Sequence, residues 1–244
     1  MVDGKATELD ITIGDRDFTI KQSPGVLQSK RDGGTTGAAV WECSVRFAEW
    51  LDSERSHLHP PGPLDLDATV LELGAGISGL VPLVLASRVE RVVATDQQYA
   101  LGLLRENIDA NRKGPRKGRR GDVQTLALDW ETDDIGSTLR SHGYTKPFTA
   151  VLACDCVFNY ALIKPFVEAC EETCKLGRVS DEGKKSSKAP ALCIVAQQLR
   201  QPEVFQEWLE AFAKIFRGWR VPDKLLTERL KEGSGFVVHV GVLR

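Results

Sequence analysis

Apolar positions along this chain follow first a period of two, then a period of three to four, and then the two periods alternate. Between Leu9 and Lys21, the residues Ile11, Ile13, Phe18 and Ile20 alternate with polar ones about Gly14-Asp15, which predicts a β-hairpin. After the glycine-rich stretch Gly33–Gly37, a flexible turn or helix entry, Val40, Trp41, Val45, Phe47, Ala48 and Leu51 form one stripe and predict an amphipathic helix over Ala38–Leu51. His57–Pro63 reads as a proline-rich linker. Beyond it, nearly all-apolar strand patterns (Thr69–Leu73, Arg91–Thr95, Val123–Leu128, Phe148–Cys154, Leu192–Gln197) alternate with helical ones. The helices are expected over Gly79–Arg88, Tyr99–Asn111, weakly within Glu131–His142, and over Leu162–Lys175 and Pro202–Phe216. Strands apolar on both sides and separated by helices predict an α/β fold, a parallel sheet covered on both faces. The closing run Phe236–Leu243 follows the Arg220–Leu226 region with no helix-length segment between, so a hairpin is expected there. The domain reading is residues 1–63 as an N-terminal hairpin, helix and linker packing on the core, and 64–244 as the main domain.

Composition narrows this picture only slightly. The chain has 244 residues, 42% hydrophobic and 27% charged, enough to bury a sizeable core without covalent staples. A net charge of −2 gives no overall attraction to polyanions. Arg112–Arg120 is locally basic and Gly177–Pro190 is rich in Gly, Ser and Lys; both read as solvated loops or as contacts to an RNA-bearing or acidic partner. No apolar run has membrane-spanning length, and Met1–Lys5 carries no signal-like apolar region, so a soluble intracellular protein is expected. The six cysteines sit mostly in apolar contexts and read as reduced, buried thiols. Cys154-x-Cys156 and Cys170-xxx-Cys174 match no common zinc spacing, and His57, His59, His142 and His239 form no ligand set, so no metal is expected. His57 and His59, in the linker, are expected to be exposed.

The richest segment is Val70–Leu80, where a strand breaks into Gly74-Ala75-Gly76 and a helix start. The spacing is that of the dinucleotide fingerprint, and alone it fits a nicotinamide cofactor or S-adenosylmethionine equally. Small residues there admit a cofactor against bare backbone, with helix N–H groups nearby. Glu72, two positions before the first glycine, stands with the glycines at the end of the first strand and is a cofactor-binding candidate. In an open parallel sheet, ligands bind beyond the carboxyl ends of the strands. The second strand ends in Asp96, whose carboxylate suits ribose hydroxyls. The third ends in Asp129-Trp130, an acceptor beside a flat ring, which suits a purine. The fourth ends in Cys154-Asp155. Each aspartate singly reads as readily as a helix cap; four successive polar strand ends together read as a ligand site. There is no Gly-x-Ser-x-Gly elbow, no P-loop lysine and no Asn-Pro-Pro-aromatic motif.

Ala39-Val40-Trp41-Glu42, Leu71–Gly76, Thr95-Asp96, Leu128-Asp129-Trp130 and Ala153–Phe158, in that order over roughly residues 35 to 244, resemble the class I S-adenosylmethionine-dependent methyltransferases. The closer resemblance is to methyltransferase family 16, the protein-lysine methyltransferases, and within it to the fungal ribosomal lysine methyltransferase 5 group. The resemblance implies a Rossmann-like seven-stranded sheet, mostly parallel, with Phe236–Leu243 as the antiparallel strand. It implies S-adenosyl-L-methionine as cofactor. Trp41 closes over it, Gly74, Ala75 and Gly76 approach its amino-acid part, Asp96 holds the ribose, Trp130 lies by the adenine and Cys154 contacts it through its backbone. Asp155 opens a D-x-x-Y element that faces the target amine. That element ends here in Phe158 rather than tyrosine, leaving Tyr160 as the nearest phenol. The implied function is N-methylation of a protein lysine, with a ribosomal protein as acceptor, in the cytoplasm or also the nucleus. The partner expectations are a lysine-bearing protein, no membrane, a monomer, and no direct nucleic-acid contact outside the Arg112–Arg120 loop. The alternatives are a methyltransferase acting on another protein or a small amine, a non-catalytic cofactor-binding module, and an NAD-dependent oxidoreductase. The last would need a catalytic His, Lys or Tyr set in a second half, which the sequence does not offer.

Overall fold

A computed structural model describes residues 1–29, 35–60, 62–112, 121–177 and 189–244. Of the segments singled out above, residues 113–120 of the basic loop, 178–188, and Gly33-Gly34 lie outside the described residues.

The N-terminal hairpin forms as expected. Strands β1 (Glu8–Ile13) and β2 (Arg16–Lys21) pair antiparallel across a two-residue turn, with Ile13 opposite Arg16. Gly14 has φ of 62°, the conformation that glycine supplies at such turns. Period-two alternation buries Ile11, Ile13, Phe18 and Ile20 on one face. A short helix α1 (Pro24–Leu27) and a 3-10 turn over Thr36–Ala38 lead to α2 (Glu42–Asp52). The helix expected from Ala38 therefore starts four residues later. Val40 and Trp41 are extended residues packed before the helix, and Trp41 is its cap.

Among the described residues the main sheet has seven strands: β3 (Thr69–Leu73), β4 (Arg91–Asp96), β5 (Asp122–Ala127), β6 (Ala150–Cys154), β7 (Leu192–Gln198), β8 (Phe216–Arg220) and β9 (Phe236–Leu243). Their spatial order is β5-β4-β3-β6-β7-β9-β8, and only β9 runs against the others. The hairpin partner of β9 is Phe216–Arg220, not the Arg220–Leu226 region expected from the sequence. The helix α7 (Pro202–Ile215) runs into β8 with no turn residue between. Gly218 and Gly241 face each other in that ladder, and a Cβ on Gly241 would lie 2.6 Å from the Phe212 ring, so the glycine pair makes room for α7.

Strand residues alternate between two cores. Val70, Val92, Leu152 and Ile194 join a cluster with the hairpin, α2, α3 (Leu80–Leu85) and α4 (Gln98–Arg112). Leu71, Val93, Val151 and Val195 join the opposite cluster with α5 (Ile135–Ser141), α6 (Ile163–Lys175) and α7. Two asparagines of α4 hold the outer edge of β2: Asn107 pairs with the backbone N–H and C=O of Lys21, and Asn111 with those of Thr19, at 2.9–3.0 Å. They satisfy an edge that would otherwise stay unpaired. All six cysteines are free and buried. His57 is exposed as expected, but His59 is half-buried, bonds Leu51 O through Nε2 at 2.7 Å, and has its pKa lowered by burial. Among the described residues no helix is long and apolar enough to cross a membrane.

Because Phe18 is 1% exposed within the cluster that includes the main sheet, Phe18→Ala is expected to lower global stability by about 3–5 kcal/mol. Urea unfolding checks this: the midpoint of the single transition falls. An unchanged midpoint would mean that the hairpin is not part of that core.

Candidate active site

The carboxyl ends of β3, β4, β5 and β6 open into one cleft of about 340 Å³, between the Thr36–Trp41 segment and the loop after β7. A volume of this order suits a small-molecule site.

Its floor is the glycine turn after β3. Gly74, Gly76 and Gly79 all have φ between 61° and 70°. Room is as tight as the torsion angles demand. A Cβ on Gly74 would lie 2.7 Å from Cys156 Sγ and 3.0 Å from the Trp130 ring. Three of the turn's N–H groups are already bonded: Ala75 N–H to Thr95 O at 2.9 Å, Gly76 N–H to Asp96 Oδ2 at 2.8 Å and Ile77 N–H to Gly37 O at 2.9 Å. Asn107 closes the turn from below, donating to Ile77 O at 2.7 Å. Three N–H groups of the turn are thus spent inside the protein ahead of the helix start at Leu80.

The acidic wall follows. Asp96 accepts from Gly76 N–H and, through Oδ1, from Gln97 N–H at 2.8 Å. Burial raises its pKa to about 6 against those two bonds, with Asp129 adding repulsion. Asp129 accepts from Gln97 Nε2 at 3.0 Å and from Glu131 N–H at 3.0 Å. Trp130 packs against Phe166 with ring centroids 5.3 Å apart, and its buried Nε1 has no hydrogen-bond partner in the protein.

At the far end, β6 ends at Cys154, a buried thiol, and Asp155 follows with φ of 56°, a left-handed conformation that aspartate tolerates better than most residues. Its N–H donates to Ala196 O at 2.8 Å, continuing the β6–β7 ladder by one residue. Its carboxylate is 3% exposed, paired with Arg200 Nη2 at 2.7 Å through Oδ1, and Oδ2 has no partner in the protein. Burial raises its pKa, and Arg200 opposes that. Trp41 donates from Nε1 to Thr36 O at 2.8 Å, and the Arg200 guanidinium lies 5.0 Å from the Trp41 ring centroid.

Of the residues expected from the sequence, Trp41, Gly74, Ala75, Gly76, Asp96, Asp129, Trp130, Cys154, Asp155 and Phe158 line this one cleft. Two do not. Tyr160 is 54% exposed in a 3-10 turn outside the lining, so it does not stand in for the missing hydroxyl at 158. Glu72 lies beneath the turn, 3% exposed among apolar strand neighbours, with Oε2 unpartnered; burial and then the Asp96 charge raise its pKa to about 8. Sequence reasoning missed Gln97, Tyr99 and Arg200. Tyr99 accepts the Gly37 N–H at 3.1 Å. Arg200 follows the fifth strand end, Gln197-Gln198, so the strand-end rule that found the aspartates reaches it one strand further on.

A family model described as lysine methyltransferase matches residues 21–181, about two-thirds of the chain. The chain belongs to this lysine methyltransferase family. A Schizosaccharomyces pombe protein named diaminohydroxyphosphoribosylamino-pyrimidine deaminase is 32% identical over 218 residues, 88% of this chain but 47% of that protein. The ribosomal lysine N-methyltransferase 5 of Zygosaccharomyces rouxii is 28% identical over 229 residues, 79% of this chain and 69% of that one. Its namesake from Saccharomyces cerevisiae is 26% identical over 230 residues, 67% and 63% of the two chains. The chain thus spans about half the length of the first relative and about two-thirds of the others. Neither His-x-Glu nor Pro-Cys-x-x-Cys, the zinc deaminase signature, occurs in this sequence. Among solved structures, a Streptococcus mutans protein assigned as a SAM-dependent methyltransferase superposes with a TM-score of 0.53 at 12% identity, over 97% of this chain and 56% of that one. That likeness bears on the fold, which is the Rossmann-like methyltransferase sheet.

The buried carboxyl beneath the turn yields a stability prediction. Glu72 unfolded titrates near 4.5 and folded near 8, so the fold binds its proton more tightly. Its contribution is fully present below 4.5 and is lost as pH rises through about 8. Glu72→Gln is therefore expected to keep the fold and to flatten the fall in urea midpoint toward alkaline pH. A midpoint series across pH with the same slope for both proteins contradicts a protonated Glu72.

Proposed function

We propose that this chain is an S-adenosylmethionine-dependent protein-lysine N-methyltransferase acting on a ribosomal protein. One observation carries the choice of cofactor: among the described residues, the charged side chains lining the cleft are Asp96, Asp129, Glu131, Asp155 and one guanidinium, Arg200. A dinucleotide brings a pyrophosphate, which needs free backbone N–H groups or cations at the glycine turn. Here three of those N–H groups, on Ala75, Gly76 and Ile77, are bonded to Thr95, Asp96 and Gly37, and among the described residues the charged side chain bonded to the turn is acidic. S-adenosylmethionine brings no phosphate and carries a cationic sulfonium, which an acidic wall favours. The residues present fit it: Asp96 toward ribose hydroxyls, Trp130 toward the adenine face, Gly74 to Gly76 toward the amino-acid part, and Trp41 as the opposing wall.

Bound in this cleft, the cofactor supplies an activated methyl carbon. The chain's own residues prepare the acceptor. A free lysine has a pKa near ~10.4 and attacks only as the neutral amine. Entry beside Trp41 and Phe158 removes water from the ammonium and favours loss of its proton to solvent. Asp155 accepts an N–H of the amine and fixes the direction of its lone pair; its pKa is far too low for it to act as a strong base. Holding amine and methyl carbon in line then supplies most of the acceleration. The lysine acceptor is supported by the family, and the ribosomal acceptor by the relatives named above.

Asp155→Asn is expected to reduce methyl transfer by at least ~100-fold, the scale of a lost positioning contact, while cofactor affinity changes only a few fold. Loss of cofactor binding instead would place Asp155 in the cofactor site. The acceptor is tested by incubating the protein and tritiated S-adenosylmethionine with extract from cells lacking it. Label is expected in a ribosomal protein, on lysine by mass spectrometry; label confined to small molecules contradicts the proposal.

A further inference from the structure

Arg200 is the one cation lining the cleft among the described residues, and the proposed methyl transfer gives it no step. It sits on the short loop between β7 and α7, and its side chain is 32% exposed while the Asp155 carboxylate is 3% exposed. It makes two contacts at once: Nη2 to Asp155 Oδ1 at 2.7 Å, and the guanidinium carbon 5.0 Å from the Trp41 ring centroid. A carboxylate on one side and an indole face on the other is the environment that an alkylammonium seeks. Arg200 also lines a small recess of about 30 Å³ beside Phe158, so it stands across the end of the main cleft. Only one Asp155 oxygen is used; the buried Oδ2 has no partner in the protein, so the carboxylate retains capacity for a further donor. An arginine cannot lose its proton in a protein, so it fits this position without becoming a nucleophile.

We propose that Arg200 is a positioning residue and a latch: it occupies the acceptor-amine position in the absence of substrate, and the incoming lysine displaces it. The inference rests on the lysine methyltransferase reading. The latch keeps the buried Asp155 carboxylate paired until a second cation takes over. The other charged or titratable groups acting on Asp155 are the α-amino group of Met1 and the thiols of Cys154 and Cys156, and Gln198 N–H donates to Oδ1 at 3.3 Å. Among these, Arg200 alone forms an ion pair with Asp155.

The test uses n-butylammonium, a lysine side-chain mimic, titrated by ligand-observed NMR at one fixed pH into the full chain saturated with S-adenosylhomocysteine. A latch closed about 90% of the time weakens apparent affinity about tenfold, so Arg200→Ala and Arg200→Gln are each expected to bind the probe about tenfold more tightly than the parent. Adding Asp155→Asn to Arg200→Ala is expected to remove the gain. Unchanged or weaker binding in both Arg200 variants overturns the latch, as does a gain that survives loss of Asp155. S-adenosylhomocysteine affinity, measured first, separates the cases: a parent chain that does not bind it refutes the cofactor reading, whereas normal binding with no gain on removing Arg200 refutes the latch alone.

Discussion

The hydrogen bond from the Gly76 N–H to the Asp96 carboxylate is the constraint around which this site is arranged. It ties the turn after one strand to the end of the next, and it does so with a carboxyl that burial pushes to about 6. Gly37 from the N-terminal segment and Asn107 from α4 complete the pairing of the same turn. A turn carrying three positive-φ glycines is thereby held from three directions, and three of its N–H groups are spent on the protein. What remains for a ligand is bare Cα surface, an acidic wall and two indoles. That combination suits a phosphate-free cationic nucleoside and works against a pyrophosphate.

Asn107 also shows why the N-terminal residues belong to the account of function. The same side chain pairs with the β2 backbone at Lys21 and with the glycine turn at Ile77. The hairpin is therefore coupled to the floor of the cleft through one buried amide. The chain between hairpin and α2 carries Gly37 and Trp41, which form the opposite wall of the cleft. An appendage in sequence is, in space, one wall of the site.

Much of the architecture was legible because its causes are local. Period-two alternation located the first hairpin, and all-apolar runs located the buried parallel strands. The β8 strand was hidden because Phe216–Arg220 follows α7 without a turn residue and exposes four of its five positions, so no pattern separates it from the helix. Trp41 was assigned to the cleft but to the wrong backbone, because the apolar stripe of α2 extends back through residues that pack before the helix begins. Asp96, Asp129 and Asp155 line one cleft because strand ends in a parallel sheet converge. Glu72 and Tyr160 lie outside the cleft lining for different reasons: Glu72 is buried beneath the glycine turn, and Tyr160 sits exposed in a 3-10 turn. Arg200 was missed because its meaning depends on Trp41 and Asp155, each far from it in sequence.

The central claim is that this cleft is built for a cationic, phosphate-free nucleoside. Calorimetric titration of the full chain with S-adenosylmethionine and with NAD in the same buffer tests it most directly. The account predicts saturable one-to-one binding of S-adenosylmethionine and no detectable heat with NAD. Binding of NAD, or of neither compound, would contradict it.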